Sequence, residues 1–498
     1  MDVQEERRRL LEGEGEEEEE EDPTGLMSEQ EAYLSKVKNR KLYLATFASV
    51  LGPMSFGFVL GYSSPAIPDL RSISDPRLRL DADQASWFGS IVTVGAVVGG
   101  LLGGWMVERI GRKLSLMFCS LPFIFGFTII IAAQNVWMLY IGRALTGLAS
   151  GVTSLVVPLY ISEMAHERVR GTLGSCVQLM VVLGILGAYA AGLVVHWRWL
   201  AICCSIPPTL LMVFMCFMPE TPRFLLSQGK RREAEEALRF LRGPDAPVEW
   251  ECARIEDACE EQGSSFQMSD LKDPGVYKPL VVGVLLMVFQ QLTGINAIMF
   301  YAETICEQAH LPGDVGSVLV GLVQVVFTAV AAVIMDRAGR KVLLVISGVA
   351  MAISTTSFGV YFYLMSQQPR TPTAALDVMA TAAPALDLRW LAQCSLAVFI
   401  TGFALGWGPI PRLVMSEIFP VKVRGFASAV CVLTNWSMAF VVTKTFHDMM
   451  DHLTSAGTFW LFASSCSVNV IFTIVFLPET KGKTLEQIEA IFRGTSGP

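Results

Sequence analysis

Amide side chains lie within the apolar stretches of this sequence, where a polar group needs either a partner or a wet cavity. An amide both donates and accepts hydrogen bonds, whereas an ion site would use carboxylates or rings of carbonyl groups. A cavity lined by amides and an aromatic ring therefore suits a neutral polyhydroxyl molecule such as a sugar. For any single amide, the alternative is a hydrogen bond between neighbouring helices. The candidates are Gln178, Gln290, Gln291, Asn296, Gln324 and Asn435, with Trp436 beside the last of them.

Two of these amides share one apolar stretch at a spacing that a regular helix does not favour. Gln291 and Asn296 are five residues apart, which is ~140° around an ideal α-helix. They converge on one site only if the helix is interrupted between them. Thr293 and Gly294 lie at that point, and glycine tolerates the backbone conformations that end a helix. We therefore predict a broken helix here.

The few charges inside apolar stretches bear on the driving force. Arg143 lies in such a stretch, where a cation needs a partner or water. The first apolar stretch, residues 44–65, contains no acidic residue. A proton-coupled carrier would need a titratable acid in the membrane near its site, so this absence favours passive uniport. Glu163 and Glu417 leave proton coupling open.

Charged motifs occur twice along the chain in the same order. Residues 108–113 are repeated at 336–341, and residues 219–221 are repeated at 478–480. Between these, each half has a Glu followed seven residues later by an Arg. We interpret the repeated charges as a latch that bridges the two halves on one side of the membrane; the alternative is ordinary topology-setting positive charge. The latch residues are Arg112, Glu163, Arg170, Arg340, Glu417 and Arg424.

Apolar windows of about 20 residues predict the elements that must position these side chains. Together with the repeat, they predict an all-α membrane protein of the major facilitator type, with twelve spans in two six-helix bundles around a midplane site. The predicted windows are 43–63, 86–107, 114–133, 138–161, 172–195, 198–218, 278–302, 315–336, 342–365, 390–413, 426–447 and 457–477.

The polar segments between and around these spans complete the organisation. Residues 230–241 combine charge with periodic Ala and Leu, which predicts an amphipathic surface helix within the central segment. The Arg- and Lys-rich loops fall on one side, which we expect to be cytosolic together with both termini. The predicted units are a disordered tail at 1–40, a first bundle at 41–218, a helical linker at 219–276, a second bundle at 277–477 and a tail at 478–498.

Composition excludes several function classes. The chain is 52% hydrophobic and only 17% charged, against about 25% charged in an ordinary soluble domain, so lipid is its expected surrounding. Its net charge is −8, but residues 1–22 alone carry −9. No basic stripe remains for nucleic acid. We also expect no catalytic residues, no metal site and no cofactor, because no catalytic dyad, phosphate loop or metal-ligand spacing occurs.

The N-terminal tail contains a short sorting-type pattern. Glu6 precedes the adjacent leucines Leu10 and Leu11 by four residues, which is the spacing that clathrin adaptors read. The run of acidic residues that follows predicts a solvated, disordered spacer. A clathrin adaptor is therefore a predicted partner of this tail.

The motifs resemble those of the sugar porters, specifically the facilitative glucose transporters and their intracellular class III members, from about residue 40 to 490. The resemblance rests on the segments 290–297, 219–223, 478–482 and 408–411 and on both Gly-Arg-Lys loops. It implies reversible alternating-access transport of hexoses. It also implies that Gln178, Gln290, Gln291, Asn296 and Asn435 bind sugar hydroxyls, that Phe403 and Trp436 line the site, and that the repeated charges form the latch.

Three positions depart from the family pattern. Gln324 replaces an Asn that usually contacts sugar, and Arg412 replaces a Trp that follows the Gly-Pro-Ile-Pro segment. These changes would reshape the pocket and the inner gate. Val59 stands where proton-coupled relatives carry Asp, which agrees with uniport.

We therefore expect a carrier that moves neutral hexoses, D-glucose first, down their gradient across an endosomal or lysosomal membrane, with the plasma membrane as a second location. Two alternatives remain open at this point. One is proton-coupled sugar symport or export from an acidic compartment, which a pH gradient would drive. The other is a transport-inactive sugar sensor, which would bind sugar without flux.

Overall fold

The computed structural model describes residues 23–261, 267–368, 388–420, 422–483 and 485–494. Within these ranges the chain is helical and contains no β-strand. Among the described residues, twelve helices are long and apolar enough to cross a membrane, one for each predicted window. The spans are Arg40–Ser72, Ala82–Arg109, Arg112–Ile131, Val136–Met164, Val169–Gly192, Trp197–Met215, Pro274–Phe300, Gly313–Met335, Arg340–Gln367, Arg389–Ile418, Arg424–His452 and Thr454–Phe476, numbered 1 to 12 below.

Span 1 is longer than the predicted window 43–63, because it continues to Ser72 through Pro65 and Pro68. Prolines remove backbone hydrogen bonds, but neighbouring helices in a bundle can satisfy the freed groups. Here span 1 packs closely on span 5, where a Cβ added to Gly57 would lie 2.0 Å from the Val181 carbonyl oxygen. Small residues that allow such approach are typical of helix packing in membranes.

Spans 1–6 and spans 7–12 form the two bundles. Within the first, span 4 packs on spans 2 and 3, and within the second, span 9 packs on spans 10 and 12. The halves meet along span 2 with span 11 and along span 5 with span 8. Large apolar side chains are exposed on the outer surface, including Trp105, Phe125 and Ile471. A soluble protein rarely exposes so much apolar surface, and this surface identifies a multi-pass membrane protein.

The central linker contains three helices, Pro222–Ser227, Arg231–Arg242 and Val248–Glu261, before a short 3-10 turn. The second confirms the predicted amphipathic helix: its buried positions include Ala234, Ala237, Leu238 and Leu241. The linker is tied to the first bundle by Arg242, which donates to the Met164 carbonyl at 2.8 Å.

The predicted terminal tails contain structure that the sequence patterns did not indicate. In the tail predicted as disordered, residues Pro23–Ser35 are helical, because Tyr33 packs its ring on Trp250 and donates its hydroxyl to Glu251. Burial raises the pKa of this hydroxyl. The C-terminal segment contains the helix Leu485–Arg493. Glu6, Leu10 and Leu11 lie outside the described residues.

Candidate functional site

A cavity of about 80 Å³ lies at the interface between the two bundles, midway along the spans. Span 5 contributes one amide to its wall and spans 7, 8 and 11 contribute the others. All eight residues predicted to bind or line a sugar site are brought together here, which sequence spacing alone does not require. They are Gln178, Gln290, Gln291, Asn296, Gln324, Phe403, Asn435 and Trp436.

The predicted break in span 7 is present. The first helical segment ends at Leu292, Gly294 has φ +85° in the left-handed region, and a second segment begins at Ile295. A residue with a Cβ would be strained at this φ. The break turns Asn296 back so that its Nδ2 donates to Gln291 Oε1 at 2.6 Å.

Four of the five cavity amides of the second half form one continuous chain of hydrogen bonds. Beyond the pair of Asn296 and Gln291, Gln291 Nε2 donates to Asn435 Oδ1 at 3.2 Å. Asn435 Nδ2 then donates to Gln290 Oε1 at 2.7 Å, and Gln290 Nε2 donates to the Trp407 carbonyl at 2.7 Å. We call these five residues the amide relay. Each member fixes the orientation of the next, so the relay presents a rigid polar wall to the cavity.

Two buried polar atoms on the cavity wall have no hydrogen-bond partner within the described part of the chain. They are Gln324 Oε1, an acceptor, and Trp436 Nε1, a donor. Each residue is only 4% exposed. Because a buried polar group without a partner costs about 1–3 kcal/mol, this pair favours a ligand that offers both a donor and an acceptor.

Sequence reasoning missed several residues that shape this site. Phe56 of span 1 and Met299 of span 7 line the cavity, and the Phe56 and Trp436 rings meet edge to face at 5.7 Å across the two halves. Phe56 and Met299 are apolar residues in apolar spans, so their residue type did not distinguish them in the sequence from residues that only pack. The Trp407 carbonyl is available to the relay because residues Phe403–Trp407 form a π-helical turn, and the adjacent Gly408-Pro409 was the only sequence cue.

Arg143 finds its partners in backbone and rings, not in a carboxylate. Its Nη1 donates to the Val59 carbonyl at 2.7 Å and its Nε donates to the Phe88 carbonyl at 3.2 Å. The guanidinium also lies 5.2 Å from the Phe88 ring centroid and 5.8 Å from that of Tyr62. Arg143 therefore joins span 4 to spans 1 and 2 inside the first half, away from the cavity wall.

The six predicted latch residues form two matching clusters at one end of the bundle, which we call the basic end. Arg112 Nη2 contacts Glu163 Oε1 at 2.7 Å in the first half, and Arg340 Nη2 contacts Glu417 Oε1 at 3.1 Å in the second. Each pair lies inside one half, unlike the predicted bridge between halves. A cavity of about 740 Å³ lies at the basic end, and its wall is formed by residues of spans 3, 4, 5 and 11 together with the helix Pro23–Ser35 and the linker helices.

The remaining two arginines of the latch set each donate to a backbone carbonyl. Arg170 donates to the Ala165 carbonyl at 3.2 Å, and Arg424 donates to the Phe419 carbonyl at 3.3 Å. Both bonds close the turn that leads into the next span. The side chains of Arg170 and Arg424 nevertheless line the same cavity from opposite halves.

The other end of the bundle, which we call the opposite end, is closed by contacts between the halves. Lys444 Nζ contacts Asp83 Oδ1 at 3.1 Å, and Ser86 Oγ donates to the Lys444 carbonyl at 2.6 Å. Ser63 Oγ donates to the Phe300 carbonyl at 3.1 Å. The central cavity is therefore separated from solvent at this end, while the halves are parted at the basic end.

Twelve spans in two repeated halves, with a midplane cavity beside a broken helix and one end open, define a secondary transporter. Residues 44–492 match the family model of sugar (and other) transporters, and the chain belongs to this family.

Known proteins agree with this assignment. The chain is 56% identical over 461 residues to facilitated glucose transporter member 8 of Mus musculus, covering 92% of this chain and 95% of that protein. It is 43% identical over 459 residues to member 6 of the same organism, covering 92% of each. Among solved structures, the inward-open xylose transporter XylE from E. coli aligns with a TM-score of 0.73 and 26% identity, over 90% of this chain and 98% of that one.

Proposed function

We propose that the protein transports neutral hexoses, D-glucose first, down their concentration gradient by alternating access. The observation that carries this proposal is the pair of unpartnered atoms on the cavity wall, Gln324 Oε1 and Trp436 Nε1, next to the amide relay. Sugar hydroxyls donate and accept at every carbon, so they can satisfy both atoms and the outer lone pairs of the relay. The relatives' names, which specify facilitated glucose transport, support the same substrate class.

Within this proposal the eight cavity residues contact the sugar. Gln178 approaches it from the first half, while Gln290, Gln291, Asn296, Gln324 and Asn435 approach it from the second. Phe403 and Trp436 supply apolar faces for the sugar's C–H surface. Binding from both halves lets the sugar draw the halves together, which is the step that alternating access requires.

The basic end would face the cytosol, in line with the positive-inside rule. There the two clusters form the latch: in the outward-facing state, the halves would approach and Arg170 and Arg424 would exchange their carbonyl partners for contacts across the interface. Their position on facing walls of the 740 Å³ cavity supports this role. Both chain termini would then also be cytosolic.

We propose uniport and not proton symport, since the described cavity wall holds no carboxylate and Arg143 donates to backbone carbonyls and not to a carboxylate. The test is uptake of labelled D-glucose, with L-glucose as control, into proteoliposomes containing the purified protein, with and without an inward proton gradient. Stereoselective equilibration that ignores the gradient supports uniport. Accumulation above equilibrium only with the gradient means symport, and binding of D-glucose without flux means a sensor.

The compartment is a separate proposal that rests on the N-terminal tail. Glu6, Leu10 and Leu11 would recruit a clathrin adaptor and hold the transporter in endosomal or lysosomal membranes. Leu10→Ala with Leu11→Ala should move a fluorescent fusion to the plasma membrane, with Leu34→Ala as a leucine control outside the motif. Continued internal retention of the double variant would reject the sorting role.

A further inference from the structure

Arg412 is the one charged side chain among the described residues that line the central cavity. It lies in span 10, just after the π-helical turn, in the segment Ile410–Ile418. Its side chain is exposed although the position lies within a membrane span, so the guanidinium faces the open interior between the halves. The rest of the cavity wall consists of amides, glycine and apolar side chains.

No hydrogen bond or ion pair within the described part of the chain engages this guanidinium. Three other arginines that lie within spans have partners in the protein. Arg143 is held by two carbonyls, and Arg112 and Arg340 each contact a glutamate. A cation within a membrane span needs a partner or a wet cavity. The contrast indicates that the partner of Arg412 is not part of the protein's own interior.

We propose that Arg412 recognises a carboxylate on the transported sugar, so that the cavity accepts hexuronates as well as neutral hexoses. This inference rests on the proposed function, because it concerns the same site. A hexuronate differs from its hexose by a carboxylate in place of the terminal hydroxymethyl group. Its ring hydroxyls remain available to the amide relay, while its carboxylate meets the planar guanidinium in a fork of two charge-assisted hydrogen bonds.

The electrostatics of the cavity favour this reading over a purely structural role. An anion that enters an uncharged cavity loses its hydration without compensation, which prevents binding. With Arg412 present the bound pair is neutral, so the desolvation of each charge is offset by the other. A carboxylate is also planar and adds almost no bulk to a hexose, which matters in a cavity of about 80 Å³.

The direct test is calorimetric binding of D-glucuronate and D-glucose to the purified full-length protein. We expect Arg412→Gln to weaken D-glucuronate binding by about 10- to 100-fold, since a hydrogen bond to a charged group is lost. D-glucose binding is measured on the same variant, and the loss of D-glucuronate affinity should exceed any loss of D-glucose affinity by at least about 10-fold; an unchanged thermal melting curve reports that the variant is folded. Arg232→Gln, on an exposed linker helix, is the matched loss of one arginine and should change neither.

A second variant and a second anion sharpen the test. Arg412→Lys keeps the charge but not the fork, and should retain part of the D-glucuronate affinity. Glucose 6-phosphate should bind more weakly than D-glucuronate. Equal D-glucuronate affinity in the wild type and Arg412→Gln, absence of D-glucuronate binding to a wild type that binds D-glucose, or preference for the phosphate would each overturn the assignment.

Transport separates this inference from the proposed function. Uptake of D-glucuronate carries one negative charge, so an interior-positive potential should increase it in proteoliposomes, while D-glucose uptake should not respond. Glucose flux without D-glucuronate binding or flux would reject the inference and leave the proposed function intact. D-glucuronate binding that depends on Arg412, in a protein that transports neither sugar, would support the recognition site and reject the transport function.

Discussion

At the basic end, both halves build the same cluster from the same residue types. In each half, a glycine with φ near +89° precedes a helix whose first turn lies against a carboxylate. The carboxylate is that of Glu220 beside Gly111 in the first half and that of Glu479 beside Gly339 in the second. Each carboxylate accepts backbone N–H groups at that helix N-terminus, where the helix dipole favours negative charge. The duplication is thus preserved in three dimensions as well as in sequence.

The middle of the two halves differs. The second half supplies a broken span 7, a π-helical turn in span 10 and the whole amide relay. Among the described residues, the first half supplies one cavity amide, Gln178, and its own buried cation, Arg143, donates to backbone carbonyls of the same half.

The two functions of the duplicated unit, movement at the basic end and sugar binding in the middle, have therefore separated. The basic end keeps the same cluster in both halves, since the two halves must make matching movements. The middle is asymmetric because one rigid polar wall suffices to orient a sugar, while the other half can approach and leave it.

The first prediction compares one relay amide with the amide of the first half. Gln291→Leu removes two hydrogen bonds and leaves Asn435 Oδ1 and Asn296 Nδ2 without the partner they have in the relay, so D-glucose uptake should fall by at least about 100-fold. Gln178→Leu removes one cavity amide outside the relay and should cost about 10-fold. Both are measured as initial uptake rates per folded transporter in proteoliposomes. Equal losses would show that the halves contribute equally to binding.

The second prediction adds an acid to the first half. Val59→Asp places a carboxylate at the residue whose carbonyl already accepts from Arg143. If the missing acid is what prevents proton coupling, the variant should accumulate D-glucose under an inward proton gradient, by up to about 10-fold per pH unit. Val59→Asn, with the same shape and no titratable group, should only equilibrate. Accumulation by the wild type would reject uniport.

The third prediction concerns pH at the opposite end. Burial raises the pKa of Glu303 to about 7, with Glu307, Asp69 and Asp314 adding to the effect; its backbone N–H donates to Ser64 Oγ of the other half. Because the folded, closed arrangement binds the proton more tightly than free glutamate does, closure is strongest below about pH 5 and weakens as the pH rises through about 7.

Hydrogen exchange at residues 300–308 should therefore increase several-fold between about pH 5.5 and pH 8, after correction for intrinsic rates. Glu303→Gln should remove this dependence and keep the closed arrangement at both values. His196→Gln is the control, since His196 lies near Asp69 at 3.7 Å and not beside Glu303. A pH response that survives in Glu303→Gln would assign it to another group.

The smallest predicted effect is a difference between the two matching clusters in how their carboxylates contribute to stability as the pH changes. Burial raises the pKa of Glu220 above its ordinary value despite its backbone donors. Burial acts in the same direction on Glu479, but N–H groups of Lys481, Arg340 and Lys341 outweigh it and lower the pKa. Ionised Glu479 therefore stabilises the fold at neutral pH and loses that contribution as the pH falls through its lowered pKa, whereas the contribution of Glu220 declines as the pH rises above the unfolded value.

Glu479→Gln should accordingly lower the melting temperature in detergent at about pH 7 by roughly 2–4 °C more than Glu220→Gln. The difference should shrink toward about pH 4, where both carboxylates are protonated in the unfolded chain. Equal shifts at both pH values would mean that the two clusters are energetically as well as geometrically alike.

Local pattern predicted much of this protein. The apolar windows located all twelve spans, the Ala and Leu spacing at 230–241 located a linker helix, and Gly294 between two amides located the break in span 7. These features depend on residues a few positions apart, where helix periodicity and glycine's backbone freedom act directly.

Tertiary packing decided the rest. Gln291 meets Asn435 across 144 positions of sequence, and the partners that Arg143 needs are backbone carbonyls of spans 1 and 2. The two ion pairs at the basic end each lie inside one half, because the bundles are parted there. Likewise, only the folded chain leaves Arg412 on the cavity wall without a partner. Sequence identifies which side chains must be satisfied within a membrane, but the partner that satisfies each one is chosen by how distant helices pack.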